Sequence, residues 1–127
     1  MLNRITAELP FKILGFTDMH LDDNEKCCDV TLELMCETIR QEKPDLVVFV
    51  GDNVTGGDNR CRAERFCRTM DELQVPWAFV LGNHEGDNPS SLQRGEMAEL
   101  FGKSAYCMMP AGAADLDDGT GVHGNGN

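Results

Sequence analysis

Basic residues are scarce in this chain: 11 lysines and arginines stand against 22 aspartates and glutamates, a formal net charge of −11. Such a surface repels a nucleic-acid backbone and an anionic membrane surface alike, so neither is expected as a partner. Phosphate groups would be repelled as well, unless bound cations reverse the local sign, as two divalent ions in a carboxylate-rich site would. Long hydrophobic runs are missing too. A stretch such as Leu46 to Val50 suits a buried strand and falls far short of the about 20 apolar residues that span a membrane. No P-loop occurs, which disfavours a nucleotide-phosphate cradle of that kind. Met1 to Pro10 mixes Asn3, Arg4 and Glu8 into its apolar residues and does not read as a secretory signal, so a cytoplasmic location is expected. The six cysteines show no Cys-x-x-Cys spacing. Reduced, small, semi-buried thiols are expected of them rather than a zinc or redox role.

What remains is enough for one core and too little for two: 127 residues, 41% of them hydrophobic. Phe11 to Phe16 forms a short apolar run that opens into Thr17-Asp18-Met19-His20, as a strand running into a polar loop would. Asp22, Asp23 and Asn24 are helix-start residues, and from Cys28 to Gln41 the apolar positions Val30, Leu32, Leu34, Met35 and Ile39 fit a helical face. Pro44 closes that helix, because the residue before a proline is pushed out of the helical region. Leu46-Val47-Val48-Phe49-Val50 has no polar alternation, the mark of a strand covered on both faces in a parallel sheet. A second helix is predicted over Arg60 to Leu73 and a third strand over Trp77 to Leu81. A third helix is predicted from near Ser90, with Ser90 and Gln93 as a capping box. The order β-α-β-α-β-α implies an α/β fold with right-handed crossovers and a mainly parallel sheet. Residues 1–109 read as one domain, and the Gly- and Asp-rich residues 110–127 as a flexible tail.

Each predicted strand ends in a polar motif: Asp18-x-His20, Gly51-Asp52-Asn53, and Gly82-Asn83-His84-Glu85. Ligands of open parallel sheets gather at the carboxyl ends of the strands. About thirty residues, the length of one strand-helix unit, separate neighbouring motifs, so all three fall on one edge. Taken singly, Asp-x-His is a common pairing and Gly-Asp an ordinary turn. All three in this order are hard to assign to turns alone. Asp18 and His20 alternate along an extended segment, where a slight twist would let both reach one ion. Asp52, with two oxygens, can bridge two ions, and Asn83 offers a neutral amide oxygen. Two cations about 3.5–4 Å apart can activate a water and hold phosphoryl oxygens, while His84 can protonate a leaving oxygen. The glycines before Asp52 and Asn83 allow sharp turns out of their strands.

These three motifs resemble the first three signature blocks of the calcineurin-like metallophosphoesterases. The stretches Glu42 to Phe49, Gly51 to Val54 and Val75 to His84 look like the purple-acid-phosphatase-related branch of that superfamily. The resemblance runs from about Phe11 to Phe101. It implies a metal-dependent phosphomonoesterase or phosphodiesterase acting on a small phosphoester, with two divalent ions drawn from Mn, Fe or Zn. It further implies that Asp18 and His20 bind the first metal, Asp52 bridges, Asn83 binds the second, and His84 is catalytic. Thr55 stands where the purple enzymes carry an iron-binding tyrosine, so no tyrosinate colour is expected. Family members continue into a second half that supplies further histidines, whereas this chain has His20, His84 and His123 in all. His123, in the tail, is expected to face solvent. The chain is therefore expected to be the N-terminal half of an α/β sandwich, a fragment whose bare sheet face favours self-association or a second half-domain. The rival expectation is a non-catalytic metal-binding or interaction module derived from that fold.

Overall fold

The computed structural model describes residues 9–109. Over that span the chain runs β1 (Ile13–Phe16), α1 (Glu25–Glu42), β2 (Leu46–Val50), α2 (Arg60–Leu73), β3 (Trp77–Val80) and α3 (Arg94–Gly102). This is the α/β order expected. The β-branched run of β2 takes the centre of a three-stranded sheet of order β1-β2-β3, parallel throughout. Ile13 lies opposite Leu46 and Val47 opposite Trp77, so the three strands end together at one edge.

Strand order follows chain order, and crossovers of the usual right hand, both running in one direction, would place α1 and α2 on the same face of the sheet. Burial agrees. Val47, Phe49, Trp77 and Phe79 point into the core, where Leu32, Met35 and Ile39 of α1 and Phe66 and Met70 of α2 join them. Aromatic edges organise its centre: Phe66 meets Phe49 at 4.8 Å and Trp77 at 5.4 Å between ring centroids, and Phe101 of α3 meets Phe79 at 5.0 Å. The alternate residues of the strands face the other way, where Ile13 is 59% and Val50 51% exposed.

Local chemistry fixes the ends of the elements. Asn24 caps α1 by accepting from the Cys27 N–H at 3.1 Å. Lys43 then turns left-handed and returns its N–H to the Ile39 carbonyl, just ahead of Pro44. Two expectations shift by more than one residue. β1 starts at Ile13 rather than Phe11, because Lys12 instead pairs its backbone with Asp45 in the loop before β2. The third helix starts at Arg94 rather than near Ser90. Ser90 folds back onto the Asn88 side chain, and Leu92 N–H is held by Asn59 Oδ1 at 2.9 Å, so the chain turns before it coils. Glu96 supplies the cap instead, accepting from Gln93 N–H at 3.1 Å. The tail 110–127, with His123, lies outside the described residues, and no described helix is long and apolar enough to cross a membrane.

Candidate metal centre

The loop after β1 continues beside the loop after β2 rather than leaving the sheet. Asp18 N–H donates to Gly51 O, His20 N–H to Asp52 O and Leu21 N–H to Asn53 O, at 3.1, 2.9 and 3.0 Å. Within that frame Asp18 (φ 53°) and His20 (φ 46°) are left-handed, as is Asp52 (φ 51°). Asp18 and His20 thus converge through a turned backbone, not through the twist of an extended segment as the alternation suggested. Thr17 Oγ1 sits 2.5 Å from Asp18 Oδ2. Asp18 Oδ1 lies 3.9 Å from His20 Nε2, which lies 3.7 Å from Asp52 Oδ2.

One donor atom from each of Asp18, His20 and Asp52 falls within 4.8 Å of the others. Two metal–ligand bonds of about 2.1 Å span at most about 4.2 Å, so both distances from His20 Nε2 to the carboxylates fit a single ion. Two carboxylates and an imidazole suit a divalent cation, and the donor set therefore fits the metal that the motifs imply.

Asp52 is the best-anchored member, its side chain 9% exposed against 62% for Asp18 and 42% for His20. Its Oδ1 accepts the His84 backbone N–H at 2.8 Å. Gly82 comes so close that a Cβ there would overlap the Asp52 carboxylate and its backbone nitrogen. Gly82 is thus required for space. Gly51, at φ 88°, is the glycine required for its turn. Asn83 follows Gly82 on the exposed rim, and its side-chain amide makes no hydrogen bond among the described residues.

His84 brings its ring to 5.6 Å from that of His20, centroid to centroid, and its Nδ1 to 2.7 Å from Asp87 Oδ2. That hydrogen bond, and next the charge of Asp52, raise the imidazole pKa above its ordinary value. Beside the cluster opens a polar cleft of 480 Å³, lined in part by Asp22, Asp23, Asp87, Thr55 and both histidines. Its wall is braced by Arg62, which reaches Asp23 at 3.2 Å and the carbonyls of Thr55 and Gly57.

Two residues of this site went unassigned in the sequence. Asp87 had no signal, because its partnership with His84 depends on a turn. Glu85 had one, as the fourth letter of Gly-Asn-His-Glu. Its carboxylate is buried and accepts four backbone N–H groups, from Asp52, Asn53, Val54 and Gly82.

Comparison with known proteins gives a concordant result. The family described as calcineurin-like phosphoesterase matches residues 11–125. Among relatives, a protein named "Probable inactive purple acid phosphatase 28" of Arabidopsis thaliana is 38% identical over 68% of this chain and 26% of its own length. A second from that plant, "Probable inactive purple acid phosphatase 14", is 34% identical over 79% of this chain and 29% of its own. "Phosphatase DCR2" of Saccharomyces cerevisiae is 30% identical over 94% of this chain and 23% of its own. The chain thus spans less than a third of the length of these relatives.

Proposed function

The chain belongs to the calcineurin-like phosphoesterase family, and on that premise we propose that its strand-end site serves metal-dependent hydrolysis of small phosphoesters, mono- or diesters. One observation carries the reading: Asp18, His20 and Asp52 converge on one point at the carboxyl edge of a parallel sheet. Asp18 and His20 would hold a first divalent ion, Asp52 would serve both ions, and Asn83 would serve the second. Ions so held supply charge for the phosphoryl oxygens and an activated water. His84 is placed by its own backbone bond to Asp52, and Asp87 holds its Nδ1, leaving Nε2 to pass a proton to the leaving oxygen. We assign residues 1–109 to a partial phosphoesterase domain, with further ligands to come from a second half-domain.

A second reading keeps the metal and drops the chemistry. It is favoured by the names of two relatives, both called probable inactive purple acid phosphatases. Both readings require metal, so metal is tested first. Isothermal titration with Mn²⁺ should show binding that Asp52→Ala abolishes. Absence of any binding by the unaltered chain would remove both readings, and equal binding by the variant would remove the bridging role of Asp52.

A further inference from the structure

We propose that Glu85 is a positioning residue for Asp52, fixing the metal-bridging carboxylate through the backbone without touching the metal. The inference rests on the reading of Asp52 as a ligand. Glu85 is 2% exposed, and its two oxygens divide their partners between two loops. Oε2 accepts Asp52 N–H at 2.9 Å and Gly82 N–H at 2.6 Å, while Oε1 accepts Asn53 N–H at 2.5 Å and Val54 N–H at 3.3 Å. A carboxylate out of water is tolerated where hydrogen bonds replace its solvation, and four amide dipoles do so here. Oxygens so occupied are not available as metal ligands.

The consequence falls on Asp52. Its φ of 51° is one that a residue with a side chain keeps only when the surroundings over-determine it. Glu85 holds its N–H and His20 N–H holds its carbonyl, so the peptide groups on both sides of its Cα are fixed. That sets the direction of the Cα–Cβ bond. The carboxylate then meets Gly82 on one side and the His84 N–H on another. Glu85 also ties Gly82, and with it the Asn83-His84 turn, to the same anchor. Ligand groups on two loops are thereby referred to one buried charge.

The test uses the full chain, Mn²⁺ titration and a thermal melt. Glu85→Gln keeps the shape but turns an N–H₂ group toward one pair of amides, releasing one side of the latch. Partners one shell out from a metal typically change affinity by about 10–100-fold, and a loss of at least tenfold is expected here. Ser104→Ala is the structural control. It removes the Ser104 bonds to Trp77 Nε1 and Asp71 at the opposite end of the sheet, and should lower stability while leaving Mn²⁺ affinity unchanged. Should Glu85→Gln not fold, Glu85→Asp takes its place, since it keeps the charge but is one methylene short of spanning both loops. Affinity equal to the unaltered chain, or an equal loss in Ser104→Ala, overturns the proposal. So does failure of both Glu85 variants to fold, because Glu85 would then serve the fold as a whole. If the unaltered chain binds no Mn²⁺, the metal reading itself fails, an outcome distinct from all of these.

Discussion

Burial divides the cysteines sharply at the scale of single residues. Cys27 and Cys61 are exposed, whereas Cys28, Cys67 and Cys107 are buried, and all six are free thiols. Desolvation pushes the Cys107 pKa up to about 11 and that of Cys67 higher still. Ellman's reagent at pH 8 should therefore label Cys27 and Cys61 first, and Cys67 and Cys107 only after unfolding. A stability effect follows with a definite sign. Between the ordinary thiol value of 9.0 and about 11 the unfolded chain has released a Cys107 proton that the folded chain retains. Alkali thus favours unfolding, and this share of stability is intact below pH 9 and lost as pH rises through the folded value. The urea midpoint in reductant should fall from pH 8 to pH 10, and less so in a Cys67→Ala, Cys107→Ala variant. No such thiol chemistry was needed to read the site. The cluster of Asp18, His20 and Asp52 was legible because residue type and order carry its signal, while Asp87 was not, because a local turn makes its pairing.

Elements were legible where one physical signal dominated. The β-branched run Leu46–Val50 and the helix Arg60–Leu73 appear with the bounds that their patterns predict. α3 begins late because contacts remote in sequence outweigh a local capping pattern: Asn59, at the start of α2, holds the Leu92 N–H. Another remote contact locks the far end of the layer. Asp71 Oδ1, in the last turn of α2, accepts the Ser104 hydroxyl at 2.5 Å and Ala105 N–H at 3.0 Å, while Trp77 Nε1 donates to Ser104 at 3.3 Å. α2, β3 and the turn after α3 meet there, and Asp71 and Ser104 are 33 residues apart, a separation that no periodicity reveals. Asp71→Ala strips the Ala105 amide and the Ser104 hydroxyl of their acceptor. It should cost about 1–3 kcal/mol in urea unfolding and leave Mn²⁺ affinity unchanged.

At the scale of the whole molecule, the site and the sheet have the same asymmetry. Among the described residues, α1 and α2 cover one face of the sheet, and Ile13 and Val50 stand exposed on the other. The proposed ligands are likewise one-sided. A first ion has Asp18, His20 and Asp52 within reach, whereas a second would depend on Asp52 and Asn83, and the remaining histidines of the chain are His84 and His123. Catalytic metal sites commonly supply three protein ligands and keep a position open. An ion with two is held weakly, and misplacement by an ångström can cost about a hundredfold in rate. The 127-residue chain alone is therefore expected to hydrolyse p-nitrophenyl phosphate poorly or not at all with Mn²⁺, Fe²⁺ or Zn²⁺. On the proposed reading, a second half-domain that supplies further histidines would dock on the bare face and complete the ligand set. Joined to it, the chain should gain turnover that depends on His84, and Ile13→Glu should block that gain while sparing Mn²⁺ binding. Turnover by the chain alone at an ordinary enzymatic rate, abolished by His84→Ala, would show the site already complete. The ligand count behind this expectation would then be wrong, and the missing donor would have to be sought in His123 or in a second copy of the chain.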